Sequence, residues 1–219
     1  DILHTIPQEF IVDTLEKIDN PIGLTGKRLE GHVHLVTAST TAMKNLIESA
    51  EELGININGL VFKPLASAMP ALTKDEIKLG VSIIDIGSTT TSIAVYNEGS
   101  IRHSAVIPIG SSSITNDIAV MLRISIEKAE EIKIKYASAK SSLSSEKLEF
   151  EVTLNEESQM ISENELSQYV EARMEEIFQL AHNEIKRAGI DSNLTYGVVL
   201  TGGGAQLRNI IPLANELLN

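Results

Sequence analysis

Two apolar runs, each ending in a polar turn that carries glycine, constrain this chain more than any other feature. One is Val81-Ser82-Ile83-Ile84-Asp85-Ile86-Gly87-Ser88-Thr89-Thr90-Thr91-Ser92; the other is Val198-Val199-Leu200-Thr201-Gly202-Gly203-Gly204-Ala205-Gln206. A short continuous apolar run reads as a buried parallel strand. A turn of Gly, Ser and Thr at its carboxyl end offers backbone N–H groups and hydroxyls to a phosphate or an adenosine. The pair predicts a nucleotide cleft in an α/β fold. Asp85, at the end of the first run, is placed to hold a Mg2+ through water, because Mg2+ keeps several waters and binds few carboxylates directly. Either turn alone is a weak signal, since glycine-bearing turns after strands are often only turns.

Composition narrows the classes. With 219 residues, 42% of them hydrophobic, the chain can bury a core in one large domain or two small ones. A formal charge of -12 argues against a nucleic-acid partner, which needs a basic face. The absence of Cys removes disulfides and thiolate metal sites and fits a reducing, cytoplasmic compartment. No apolar run approaches the ~18 residues that span a bilayer, and no signal peptide opens the chain. Any membrane attachment is expected from another segment or a partner. The chain starts directly in strand-like sequence, Ile2-Leu3-His4-Thr5-Ile6-Pro7, with no Met, and is expected to be a fragment.

Residues 1–38 read as short strands around turns, including Phe10-Ile11-Val12-Asp13 and the alternating His32-Val33-His34-Leu35-Val36-Thr37. His32 and His34 share a strand face; with no third ligand nearby, that face is read as solvated rather than metal-binding. Ser39 or Thr40 caps a helix with an apolar stripe at Met43, Leu46, Ile47, Ala50 and Leu53, ended by Gly54. A strand is expected at Ile57 to Phe62, a helix from Pro64 to Leu72, and a polar connection from Thr73 to Gly80. Strands at Val81 to Asp85, Ser92 to Tyr96 and Ile101 to Ile107 form a meander. The loop Gly110-Ser111-Ser112-Ser113 leads into a helix through Ile118, followed by an amphipathic helix from Ile126 to Ala139. A strand from Leu148 to Leu154 precedes a long helix from Glu163 to Lys186, whose start carries the capping pair Ser162 and Glu165. The strand Gly197 to Leu200 and a helix through Ile211, Leu213 and Leu217 close the chain.

In this order the motifs resemble the second half of the actin-like ATPase superfamily, and within it the FtsA family of bacterial division proteins. The residues that carry the resemblance include Ile6-Pro7-Gln8-Glu9-Phe10, Asn20-Pro21-Ile22-Gly23-Leu24-Thr25-Gly26-Lys27-Arg28-Leu29-Glu30, Pro64-Leu65-Ala66-Ser67-Ala68, Val106-Ile107-Pro108-Ile109-Gly110, Thr115-Asn116-Asp117-Ile118-Ala119, Ala129-Glu130-Glu131-Ile132-Lys133 and the Thr201 to Gln206 turn. The resemblance implies the carboxy-terminal half of the actin-like (ribonuclease H-like) α/β fold, preceded by the end of a small inserted α+β subdomain at residues 1–38. Residues 39–109 with 197–219 would form a sheet subdomain, and residues 110–196 a smaller helical and strand subdomain. It further implies a protein that binds ATP with Mg2+ and forms actin-like protofilaments. Such a protein tethers the C-terminal tail of FtsZ to the cytoplasmic face of the membrane through a helix absent from this chain.

Carried over by position, Asp85, Gly87, Ser88, Thr89 and Thr90 match a phosphate loop and Gly110 the loop under the nucleotide. Glu130 and Lys133 match the adenosine-contacting helix, and Gly202, Gly203 and Gly204 the adenosine turn. Glu130 and Lys133 are i, i+3 and so share a helix face, although such pairs are more often surface ion pairs. Arg173 is the cation chosen to meet an acidic residue of the FtsZ tail; the plainer account is that it screens Glu176. Ser88 and Thr89 stand where the family commonly has glycine, so a position needing positive φ would strain Thr89. Lys63 stands before Pro64 where several actin-like ATPases place a water-positioning Glu. A cation cannot orient water as a carboxylate does, and weak or no ATPase activity is expected. Two alternatives remain: a pilus-assembly ATPase of the same FtsA-like fold, and an acyl-CoA dehydratase activator or sugar-kinase-like enzyme, whose phosphate loop resembles Asp85 to Thr91. The missing Cys speaks against the activator, which needs thiolates for its cluster.

Overall fold

A computed structural model describes every residue except 148, 155, 156, 191–193 and 219. The chain begins with a three-stranded antiparallel sheet of β1 (Ile2–Val12), β2 (Leu15–Ile18) and β3 (Leu29–Thr37), in the order β2-β1-β3. The two short strands expected before Asp13 are one continuous strand. Pro7 is accommodated because the register against β3 shifts between Pro7 and Glu9, where the missing N–H leaves no ladder bond to break. Asp13 turns the chain at φ 54, and its Oδ1 accepts from Lys27 N at 2.9 Å and Arg28 N at 2.8 Å, tying down the Asn20 to Gly26 loop.

Helix α1 (Thr40–Glu51) is capped by Ser39, and Gly54 follows at φ 75. Its apolar stripe is not buried: Leu46 is 62% and Leu53 78% exposed. Residues 55–62, where a strand was expected at Ile57 to Phe62, form no regular element. A strand exists only where a neighbour takes its N–H and C=O groups, and none of the described strands pairs with this segment. It leads into α2 (Lys63–Ala71), with Pro64 in its first turn. The expected polar connection contains α3 (Lys74–Leu79), started by a complete capping box between Thr73 and Glu76 and ended by Gly80 at φ 103.

The central sheet has the order β6-β5-β4-β9, built from β4 (Val81–Ile86), β5 (Thr91–Asn97), β6 (Ser100–Ile107) and β9 (Val198–Thr201). The three meander strands are antiparallel, and β9 runs parallel to β4. Alternation splits the residues of β4 between two cores. Val81 and Ile83 pack with Ala68 and Leu72 at α2, whereas Ile84 and Ile86 pack with the helices on the other face. Those are α4 (Ser111–Leu122), α5 (Ile126–Tyr136), α6 (Glu163–Arg187) and α7 (Ile210–Leu217).

The expected strand near residue 150 is β7 (Glu149–Leu154), paired with β8 (Glu157–Ser162), which the polar sequence did not announce. Leu148, its expected first residue, lies outside the described residues. The three-stranded sheet rests on the edge of the central one. His34 is 2.9 Å from Ser104 Oγ on β6, and Gln8 Nε2 donates to Ile101 O at 2.6 Å. The face of His34 is therefore half-buried rather than solvated; burial first, and then nearby His103, holds its imidazole below the usual range. His32 pairs with Glu9 at 3.1 Å. Along α6, Leu166, Val170, Met174, Ile177, Phe178 and Ala181 are fully buried against the sheet. Phe178→Ala is expected to cost about 3–5 kcal/mol of folding stability, read as a shift in the denaturant midpoint.

Candidate functional site

Parity decides where Asp85 looks. It lies on the face of β4 shared with Val81 and Ile83, toward α2. There Lys63 Nζ stands 3.1 Å from Asp85 Oδ1, and Ser67, one turn along α2, donates its hydroxyl to Oδ2. Asp85 is buried and held by both. Among the described residues no group of three acidic or histidine side chains could hold a metal ion. As they stand, the residues at Asp85 do not fit a Mg2+: the carboxylate already holds an ammonium.

The turn after β4 closes through Gly87 N donating to Thr90 O at 2.9 Å. None of its residues has positive φ, so Thr89 is not strained and the expected conflict does not arise. Behind the turn lies Gly110, the residue that caps α4. Ser111 N donates to Gly87 O at 2.9 Å and Ser112 N to Ser88 O at 2.8 Å. These bonds bring Gly110 so close that a Cβ there would stand 2.5 Å from Ser88 O and 2.6 Å from Gly87 O. On the other flank, Gly202 at φ 89 passes the end of β4, where a Cβ would meet Ile86 O at 2.5 Å and Asp85 Oδ1 at 2.6 Å.

A cleft of about 430 Å3 opens between α5 and the turn after β9, with Ser111, Glu130, Lys133, Gly203, Gly204 and Arg208 among its walls. Lys133 is buried, with Nζ 2.7 Å from Glu130 Oε2, 2.9 Å from Thr115 Oγ1 and 3.3 Å from Ser111 O. Thr115 in turn donates to Glu130. Burial works to raise the Glu130 carboxyl, but the bonds from Lys133 and Thr115 outweigh it and hold the group below its ordinary range. Arg208 donates to Glu163 at the start of α6 and to the carbonyls of Tyr136 and Ala137 at the end of α5. The structure thus brings Glu130, Lys133, Gly203 and Gly204 to one cleft. The turn from Gly87 to Thr90 does not line it and is joined to it through Ser111.

Arg173 sits elsewhere, in a groove of about 660 Å3 between α4 and α6 lined by Val120, Met121 and Tyr169. Its guanidinium forks onto Asp117, Nε to Oδ2 at 2.7 Å and Nη2 to Oδ1 at 3.0 Å, and also meets Glu176. Thr115, Asp117, Ser67 and Arg208 had no assigned role in the sequence reading. Each sits in or beside one of the sequence motifs, but the contact that gives it a role is to a different element.

The glycine geometry separates packing from cleft. Gly110→Ala forces the two loops apart and is expected to cost about 1–3 kcal/mol, whereas Gly203→Ala, which meets open space, should stay within about 0.5 kcal/mol of wild type. Denaturant melts of the two variants check this.

The model of the cell division protein FtsA matches residues 82–219, and that of the SHS2 domain inserted in FtsA matches residues 1–37. The chain is 39% identical over 220 residues to cell division protein FtsA of Pseudomonas aeruginosa, covering all of this chain and 53% of that protein. It is 40% identical over 219 residues to FtsA of Bacillus subtilis, covering 99% and 50%. The chain therefore spans about half the length of the relatives it matches. Among solved structures, MreB5 of Spiroplasma citri bound to ADP superposes with a TM-score of 0.64 at 22% identity, over 79% of this chain and 56% of that one. A chain of the PilM–PilN type IV pilus biogenesis complex reaches 0.67 at 18% identity, over 98% and 54%. These likenesses show the actin-like ATPase fold. With the family model matching more than half its length and relatives 39% and 40% identical across it, the chain belongs to the FtsA family of cell division proteins.

Proposed function

We propose that this chain supplies one wall of an ATP site in a division protein that assembles with itself and holds the C-terminal tail of FtsZ. The observation that carries the ATP reading is the buried Lys133, locked to Glu130 and Thr115 and facing Gly203 and Gly204 across a single cleft. A lysine is rarely buried without a structural or ligand role. Here its partners leave a polar wall opposite a glycine turn, a combination suited to a ribose and base. That MreB5 was solved with ADP and with AMPPNP supports the same reading. Lys63 in place of a carboxylate favours assembly on ATP with little hydrolysis. Membrane attachment, which the family resemblance implies, is assigned to a segment outside this chain; no helix among the described residues is long and apolar enough to cross a membrane.

The groove beside Arg173 fits the tail of FtsZ. It offers apolar anchors at Val120, Met121 and Tyr169 with an Arg–Asp fork at its side, the combination that docks a short amphipathic peptide in register. The guanidinium pairs with Asp117 and Glu176 and lines the groove, and its role toward the tail is part of the proposal.

Two measurements test the proposal. Isothermal titration with ATP should show binding by the full-length protein and little or none by residues 1–219 alone, because one wall cannot hold the phosphates from both sides. Micromolar affinity in the isolated chain would instead make the site self-contained, as in a sugar-kinase-like enzyme. For the partner, Arg173→Glu should weaken binding of the FtsZ tail peptide by roughly 1–3 kcal/mol with unchanged circular dichroism. Unaltered affinity would remove Arg173 from the interface. Absence of tail binding by wild type would overturn the FtsZ reading.

A further inference from the structure

We propose that Lys63 is the resident cation of the phosphate end of this cleft, so that nucleotide binding does not depend on a divalent metal at Asp85. The inference rests on the ATP reading above. Three observations carry it. First, Lys63 Nζ and Ser67 Oγ each take one oxygen of Asp85 from one face of α2, so the buried carboxylate is already matched by an ammonium where a hydrated ion would stand. A second cation there would have to displace the ammonium or sit against it, like charge to like charge. Secondly, the ammonium is also beside the turn that follows β4: a Cβ on Gly87 would lie 2.9 Å from Lys63 Nζ. An anion held by that turn therefore meets this charge first. Thirdly, burial is asymmetric. The Asp85 side chain is 9% exposed and that of Lys63 47%, so the carboxylate is fixed while the ammonium, on a flexible four-carbon stem, keeps access to solvent and ligand. An ammonium is a compact phosphate-binding charge with several donors. At this position it can hold Asp85 and a phosphate oxygen together, the neutralising role that a hydrated metal takes elsewhere.

The neighbouring strand adds to the picture. Ser92 is paired directly opposite Asp85 in the sheet, and its buried hydroxyl has no hydrogen-bond partner in the structure. The residue paired opposite Asp85 is thus a serine and not a second carboxylate, and Lys63 meets Asp85 as a one-to-one pair.

The test is ATP affinity of the full-length protein by isothermal titration, once with Mg2+ and once with excess EDTA. Wild type is expected to bind with an affinity that changes less than about threefold between the two buffers. Lys63→Ala frees Asp85; it should bind about tenfold more weakly in EDTA, the size of one charge-assisted contact, and recover when Mg2+ is added. Lys63→Gln, which keeps the stem, should behave like Lys63→Ala and carries the test if the alanine variant melts early. The inference is overturned if wild type loses affinity in EDTA as steeply as Lys63→Ala, or if the variants melt earlier but keep the metal dependence of wild type, which would leave Lys63 a structural ion pair. Absence of ATP binding by every protein in both buffers would overturn the ATP reading itself and this inference with it.

Discussion

Parallel pairing of β4 with β9 sets Asp85 beside Thr201, so two turns far apart in the sequence end at the same edge of one sheet. A shift of this register by one residue would turn Asp85 from α2 toward the apolar core on the other face. Two of the glycines then follow from distance, and Gly202 from its φ of 89 as well. Gly202 must pass Asp85 and the Ile86 carbonyl, and Gly204 lies against the Ile86 side chain, where a Cβ would collide. Only Gly203 faces open space, and it is the one that lines the cleft together with Gly204. Three adjacent glycines that look alike in the sequence thus have separate reasons for being glycine.

What the sequence made legible was whatever depends on local chemistry. The apolar runs of β4 and β9, the caps at Ser39 and Ser162, and the shared face of Glu130 and Lys133 follow from residue spacing and appear where spacing puts them. The misses have two different origins. Helix α3 was announced by a capping box, Thr73 with Glu76, which a polar composition concealed. The segment from Ile57 to Phe62 has strand-like residues and no strand, because pairing requires a neighbour that spacing cannot supply. The site shows the same division. Spacing identifies the Glu130 and Lys133 pair, but only the packing of α4 on α5 brings in Thr115, whose hydroxyl bonds both members and lies with the buried Lys133 end of the pair.

Helix α6 links the two candidate sites. At its first residue, Glu163 is 4% exposed; Ser145 N donates to one of its oxygens, and Arg208, reaching it from the wall of the cleft, is the cation that pairs with the other. Ten residues along the same helix, Arg173 forks onto Asp117 in the groove. Further on, Glu184 bonds His103 on β6 at 2.9 Å. One rigid element is thus anchored by ion pairs to the cleft, to α4 and to the sheet, while its apolar stripe fills the core between them.

Charge sets the last constraint. The chain carries 30 acidic against 18 basic residues, a field that repels an anionic nucleotide at long range. Beyond a Debye length of about 10 Å in 0.1 M salt that repulsion is screened, so recognition of phosphate has to be local. The cations at the candidate sites are each matched to a carboxylate: Lys63 to Asp85, Lys133 to Glu130, Arg208 to Glu163 and Arg173 to Asp117. An incoming anion does not meet a bare basic patch; it competes with a fixed carboxylate for each of these donors. Affinity then depends on how many donors a ligand can share without breaking a pair. That favours a ligand whose oxygens, ribose and base are spread along the cleft over a small, concentrated anion, and it confines recognition to the few places where glycine lets the ligand come close.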